Sequence, residues 1–422
     1  MNLQTNQRLN ILCLLLIFLL SAAIQAAISG DYEYVDNRNG TCSIINYFGP
    51  GGDLIIPGSL NGLTVTGIGN DAFFSKASLT SVVIPDSVII IGIEAFYWCT
   101  GLSSVKIGNS VTEIGHHAFL NCDGLTSVTI PDSVATIEYN AFYDCSNLST
   151  IMIGSNVSSI GISAFGNCAN LTAISVDPLN SAYTSVGGIL FDKEQTTIIQ
   201  YPAGKAGTYT IPDTVTTIGD GAFYRCSGLT DVTIGNRVTA IGNEAFSQCS
   251  GLTGKLIIPD SVTIIGYHAF QYCPGLTGFT IGNGVATIGN YVFSNCYGLT
   301  CVYFKGDAPS LGSNVFWGVD LATVYYIPGT VGWGETYGGL PTAEWPLSVA
   351  DINMNGDVNL SDFDGLQRKL KSTGKIWVLI KIHNFDRITV EIESTPPTNK
   401  DQFYSDLADA ILDAFEANEF YP

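Results

Sequence analysis

Ile114-Gly115-His116-His117-Ala118-Phe119-Leu120-Asn121-Cys122-Asp123-Gly124-Leu125-Thr126-Ser127-Val128-Thr129-Ile130-Pro131 is one statement of a phrase that the chain repeats over most of its length. Its opening Ile-Gly recurs at Ile68, Ile91, Ile114, Ile137 (where Glu138 replaces the glycine), Ile160, Ile218, Ile241, Ile265 and Ile288. The steps are 23, 23, 23, 23, 58, 23, 24 and 23 residues. A fixed period in the twenties is the signature of a stacked solenoid, in which no unit buries its apolar face alone and each neighbour covers the next. The expected fold is therefore mainly β: a solenoid of coils of about 23 residues with capped ends, followed by a small C-terminal α+β appendage.

Within each unit, Leu125-x-x-Val128-x-Ile130-Pro131 alternates like a short half-buried strand, and the proline ends its pairing. A second short extended run, Ser133 to Ile137, leads into the Gly turn. The Ala-Phe pair then fills the interior, with Phe73, Phe96, Phe119, Phe142, Phe165, Phe223, Phe246, Phe270 and Phe293 stacking one per coil. Burying such a ring fully is worth about 1.5–3 kcal/mol, and only stacked neighbours can bury it from both sides.

Leu-x-x-Val-x-Ile followed by Ile-Gly-x-x-Ala-Phe-x-x-Cys-x-x-Leu resembles the BspA-like branch of the leucine-rich repeats, over roughly residues 30–346. The 58-residue step holds Ser185-Val186-Gly187-Gly188-Ile189-Leu190-Phe191-Asp192-Lys193 through Ile199-Gln200-Tyr201-Pro202, a hairpin wedged between coils and also similar to an element of that family. The resemblance implies a protein that acts through protein–protein contact, in adhesion and in host or matrix binding.

Charge and termini narrow the setting. The 422-residue chain carries 17 Lys and Arg against 37 Asp and Glu, a net charge of −20. That argues against nucleic acid or an anionic membrane as partner and is compatible with a divalent cation. Residues 1–26 have the layout of a signal peptide: Arg8, an apolar run from Ile11 to Leu20, and a small-residue exit ending at Ala26. About 10 apolar residues are too few to span a bilayer comfortably, and no later segment could do so. The expected product is exported, secreted or surface-displayed, with no transmembrane segment once the signal is removed. Residues 27–66 alternate like strands around Asn37-Arg38-Asn39-Gly40 and read as an N-terminal cap hairpin. Repeats occupy 67–306, the longer hairpin unit 177–210, and a C-terminal cap 307–346.

Eight cysteines, Cys99, Cys122, Cys145, Cys168, Cys226, Cys249, Cys273 and Cys296, sit in register. Stacked coils place equivalent side chains about 4.8 Å apart, whereas a disulfide wants Cβ atoms about 3.5–4.5 Å apart with a specific torsion. Buried free thiols fit better than disulfides, and a straight row is a poor tetrahedral metal site. His117 and His268 share a slot in distant coils and are expected, with His116, as exposed polar positions. Beside Ala-Phe lies an aromatic stripe, Tyr97, Trp98, Tyr143, Tyr224 and Tyr272, whose rigid rings suit a partner-binding surface.

The most specific chemical motif is Asp351-Ile352-Asn353-Met354-Asn355-Gly356-Asp357-Val358-Asn359-Leu360-Ser361-Asp362. Oxygen side chains at loop positions 1, 3, 5, 9 and 12 and glycine at 6 are the arrangement by which a loop wraps calcium, with Asp357 at position 7. The expected ligand set is Asp351, Asn353, Asn355, Asp357, Asn359 and Asp362. Only Asp351 and Asp362 bring charge through their side chains, so a single weak calcium site of the extracellular kind is expected. With Asn359 and Asp362 at those positions, and the apolar Phe363, Leu366 and Leu370 behind them, the segment 347–374 resembles one dockerin repeat. A dockerin ordinarily has two such loops, and no second one is present. Residues 375–422 read as a small strand–strand–helix unit.

No Gly-x-Ser-x-Gly, His-Glu-x-x-His or phosphate loop occurs. The sequence thus points to a non-enzymatic repeat protein that binds protein partners through its solenoid surface. The alternative is a subunit of an extracellular complex, docked on a cohesin-type partner through its calcium segment, with the repeats as a glycan- or scaffold-binding arm.

Overall fold

The computed structural model describes residues 26–345 and the backbone of two further strands, Trp377–His383 and Arg387–Glu393. The signal segment, the 351–362 loop and the helix expected after Pro397 lie outside the described residues. Among those described there is no helix. Short parallel strands stack instead, coil upon coil, into a β-solenoid of about 12 turns.

The Ile-Gly positions form one ladder. Gly67-Ile68, Ile90–Ile91, Glu113–Ile114, Thr136–Ile137 and Ser159–Ile160 pair in parallel with each isoleucine beside the next. A second ladder runs from Thr197–Gln200 through Thr217–Ile218, Ala240–Ile241, Ile264–Ile265 and Thr287–Ile288 to Ser310–Leu311. The Leu-x-x-Val-x-Ile runs supply the opposite wall, as in Ser127–Thr129, Thr150–Ile153 and Ala173–Val176. Their alternate residues point inward because side chains change face at every residue of a strand.

Between the walls stand the phenyl rings. Phe96, Phe119 and Phe142 are fully buried, and successive centroids are 5.0 Å apart with planes within 4° of parallel. The stack is longer than the Ala-Phe repeat: Tyr47 begins it against Phe73 (5.2 Å), Tyr201 fills the slot of the hairpin coil (4.9 Å from Phe223), and Phe316 continues it past Phe293 (5.4 Å). Phe279 replaces the strand valine and wedges against both Phe270 and Phe293, which spreads that pair to 6.0 Å.

The cysteine row has a hydrogen-bonding reason. Each thiol donates to the carbonyl of the stacked aromatic one coil back: Cys99 to Phe73 (3.1 Å), Cys122 to Phe96 (3.1 Å), Cys145 to Phe119 (3.2 Å), Cys249 to Phe223 (2.9 Å). Each of these carbonyls also accepts a backbone amide, as Phe119 O does from Cys122 N, so the thiol adds a second donor to it from a small side chain that is otherwise apolar. All eight are free and buried. Burial pushes the Cys99 and Cys296 thiols up to about 12 and lifts Cys122, Cys145, Cys249 and Cys273 well above the usual thiol range. Because the thiolate is the reactive form, Ellman's reagent at pH 8 is expected to leave this row untouched until the protein unfolds, with the half-buried Cys301 reacting first among the described thiols. Rapid native reaction of several equivalents would contradict the packing.

The N-terminal end is closed by Ala26–Ser29, Tyr32–Asp36 and Thr41–Tyr47, an antiparallel trio whose last strand pairs in parallel with Leu63–Ile68. At the far end, Trp333 stacks on Tyr326 (5.2 Å, 6°) and packs against Phe304 and Tyr337. The separate strands Trp377–His383 and Arg387–Glu393 pair with each other in antiparallel register.

Candidate functional site: the turn face and the seam

The segment carrying Gly-x-x-Ala-Phe-x-x-Cys is neither strand nor helix. Alternate amides donate to the next coil, as in His117 N to Tyr139 O (3.1 Å), Phe119 N to Ala141 O (2.7 Å) and Asn121 N to Tyr143 O (3.0 Å). The amides between them turn back within the coil: Ala118 N to Gly115 O, Leu120 N to His117 O, Cys122 N to Phe119 O. This pattern puts two residues per coil in the left-handed region, for example Glu94 (57°) and Trp98 (60°), His117 (57°) and Asn121 (57°), His268 (56°) and Tyr272 (55°). Asn, Asp and His tolerate that region best, which explains their frequency there. Trp98, Arg225 and Tyr272 do not favour it, so the surrounding hydrogen bonds hold them in place.

The five predicted aromatic residues therefore belong to two rows and not to one stripe. Tyr97, Tyr143 and Tyr224 follow the stacked Phe directly. Trp98 and Tyr272 stand one residue later, in the left-handed row, and are the more exposed, at 47% and 45%. Tyr97 stacks on Phe74 (5.2 Å, 3°) and abuts Trp98 (5.3 Å), giving a three-ring cluster in the first coils.

Side chains cross-link the left-handed row. Asn167 donates to Asp144 Oδ1 (2.7 Å). With its amide oriented to satisfy both neighbours, Asn121 donates to Asp144 Oδ2 (3.0 Å) and accepts from Trp98 Nε1. Burial, with Asp123 adding to it, raises the Asp144 carboxyl, and the Arg225 charge opposes that rise. In the later coils Arg225 Nε donates to Gln248 Oε1 (2.9 Å), and Gln248 Nε2 donates to Tyr224 Oη (2.8 Å).

The 58-residue step creates a seam. Tyr183–Val186, Ile189–Asp192 and Thr197–Gln200 form an antiparallel trio, and the two Ile-Gly ladders are separate sheets. On the turn side this unit contributes only Tyr201 to Gly204, with Gly204 N bonded to Leu171 O (2.8 Å). Coils far apart in sequence consequently meet. A side chain on Gly221 would lie 2.8 Å from Ser163 Oγ, and the Tyr143 and Tyr224 rings approach to 6.1 Å. Burial, then hydrogen bonding to Tyr224, raises the Tyr143 hydroxyl. Ile160 to Phe165, Ile199, Gln200, Gly219 and Asp220 enclose a cavity of about 180 Å³ at the seam.

The histidines depart from expectation. His117 and His268 are half-buried, because the left-handed row seats them between neighbours. His117 lies 3.9 Å from Glu94 and edge-on to Tyr139, and His268 Nδ1 is 2.7 Å from Gln271 Oε1 with its ring stacked on Tyr291. His116, which is exposed, lies 3.6 Å from Glu138. Among the described residues no group of three His, Cys, Asp or Glu could hold a metal.

The BspA type leucine-rich repeat region matches residues 66–197 and 203–322, in six copies. No curated protein matches the chain. Among solved structures, a leucine-rich repeat protein from Eubacterium ventriosum is 24% identical, covers 70% of this chain and 82% of its own, and superposes with a TM-score of 0.53. The pneumococcal vaccine antigen PcpA is 19% identical over 72% of this chain and 94% of its own, with a TM-score of 0.53. A leucine-rich cell surface protein from Faecalibacterium prausnitzii is 27% identical over 68% and 96%, with a TM-score of 0.42. No helix of the described residues is long and apolar enough to cross a membrane. With the repeat matched over more than half its length, the chain belongs to the BspA-type leucine-rich repeat family.

Proposed function

We infer that this is an exported, surface-displayed, non-catalytic protein that holds protein partners, in adhesion or matrix contact, against the rows of its turn face. The observation that carries this reading is the cross-linked left-handed row: Trp98 and Tyr272 are exposed, yet their backbone is fixed by hydrogen bonds to the next coil, Trp98 N to Leu120 O (2.9 Å) and Tyr272 N to Ser294 O (3.0 Å). Rigid aromatic side chains on a preorganised scaffold give up little entropy on binding, which is why they dominate interface hot spots. Export rests on the signal-like residues 1–26, and protein contact rests on the family. The test is capture of immobilised matrix and cell-surface proteins by the full chain and by a Trp98→Ala/Tyr272→Ala variant. Loss of a hot spot costs about 2 kcal/mol or more, so at least tenfold weaker capture is expected. Undiminished capture would remove the turn face as the binding surface.

A second reading rests on Asp351 to Asp362: this loop binds calcium and docks the chain on a cohesin-type partner, with the repeats free to hold a protein or a surface glycan. Titration of the full chain with calcium is expected to show one site with a Kd of about 10⁻⁴–10⁻³ M, lost in Asp351→Ala/Asp362→Ala. Cohesin capture that is indifferent to chelator would sink the docking idea and leave the first reading intact.

A further inference from the structure

Beyond the seam, the turn face holds a cleft of about 420 Å³ lined by Asn167, Arg225, Gln248, Tyr272, Asn295 and Tyr297, with two serines and a proline at its margin. That volume falls in the range of small-ligand clefts. Its chemistry differs from the rest of the molecule. In a chain of net charge −20, these lining residues include one cation and no carboxylate.

Each lining group is set for a particular partner. Tyr272 and Tyr297 are 45% and 63% exposed, and among the described residues neither ring meets another aromatic ring. Both residues line the cleft, and the Tyr297 hydroxyl is tied to Asn295 Oδ1 (3.0 Å). An open aromatic face favours weakly positive C–H groups. Gln248 is spanned between Arg225 and Tyr224, and Asn167 is anchored on Asp144, so both planar amides are fixed in orientation. Amides offer a donor and an acceptor side by side, which matches neighbouring hydroxyls on a ring. Arg225 uses Nε on Gln248 and rests over the Tyr224 ring (5.7 Å), and it makes no ion pair among the described residues. Asp144 feels its charge without pairing with it. A guanidinium so positioned keeps its outer N–H fork for a carboxylate.

Apolar C–H faces, vicinal hydroxyls and a carboxylate coexist on one kind of small molecule, an acidic sugar. We propose that this cleft binds a carboxylated saccharide, with Tyr272 and Tyr297 as platforms for the ring, Gln248 and Asn167 on its hydroxyls, and Arg225 on its carboxylate. The proposal shares Tyr272 with the protein-binding reading, but its test turns on Arg225 and Tyr297, which that reading does not use, so the failure of one is distinguishable from the failure of the other.

The test is calorimetric titration of the full chain with trigalacturonate, its methyl ester, 3′-sialyllactose and lactose. At least one acid is expected to bind at least tenfold tighter than its neutral counterpart. Arg225→Gln is expected to abolish that preference, Tyr297→Ala to weaken binding at least fivefold, and Arg237→Gln, exposed elsewhere, to change nothing. Preference for the uronate or for the sialoside identifies the source of the carboxylate, and either supports the site. Should neither acid bind, or acid and neutral sugar bind equally, the proposal is overturned. It is equally overturned if Arg225→Gln, folded by circular dichroism, keeps the preference. If Arg225→Gln does not fold, unchanged affinity in Tyr297→Ala overturns it.

Discussion

Phe119→Ala is expected to lower stability by about 3–5 kcal/mol, the cost of emptying a large aromatic site in a core that cannot collapse around it. Phe119 is wholly buried and lies 5.0 Å from the ring on either side, Phe96 and Phe142. The loss should exceed what its own area explains. In a linear array, stability is carried by nearest-neighbour interfaces, and the substitution weakens two of them at once. Urea unfolding followed by circular dichroism should show an earlier and broader transition. Phe48→Ala, at a position 57% exposed outside the stack, should shift the midpoint by less than about 0.5 kcal/mol. A Phe119→Ala cost below about 1 kcal/mol would mean that the rings do not support one another.

The second large effect separates two glycines that look alike in sequence. Gly108 and Gly235 both follow the last isoleucine of a strand, Ile107 and Ile234, where Pro131 and Pro259 stand in other coils. A Cβ on Gly108 would lie 2.4 Å from the Pro85 carbonyl oxygen of the coil before it, whereas one on Gly235 would find nothing nearer than 3.4 Å. Neither has the positive φ that would strain alanine. Gly108→Ala must therefore push whole coils apart and is expected to cost about 1–3 kcal/mol. Gly235→Ala should be neutral, or stabilising by about 0.4–1 kcal/mol through the reduced freedom of the unfolded chain. Equal effects would show that the coil spacing at 108 is looser than described.

The two cases also show what the sequence could and could not disclose. Ile-Gly spacing reports which residues share a ladder, because a parallel stack repeats its register coil by coil, and Ile68 does lie beside Ile91 and Ile114 beside Ile137. The phenyl stack was legible for the same reason. Membership at its ends and at the hairpin coil was not, since Tyr47, Tyr201 and Phe316 lack the Ala-Phe context. The turn face was legible in composition and not in geometry. Two left-handed positions per coil follow from alternating hydrogen bonds, and without them Tyr97 and Trp98 look like neighbours in one stripe. The seam was hidden altogether: a 58-residue step announces an inserted hairpin but not that its short turn side brings Tyr143 to Tyr224. Nor could the period reveal the cleft. Arg225, Gln248, Tyr272 and Tyr297 occupy variable positions in four successive coils, and only the stack gathers them with Asn167 from across the seam.

Both proposed binding surfaces require the turn segments to be rigid, held by amides that reach into the next coil. Native-state hydrogen exchange measures this directly. The amides of Phe96, Phe119, Phe142, Phe223 and Phe246, each bonded to an alanine carbonyl one coil on, should exchange slowly and to a similar degree, as should those of Trp98 and Tyr272. Free exchange of these amides, with protection confined to the flanking strands, would show mobile loops where the account requires a platform.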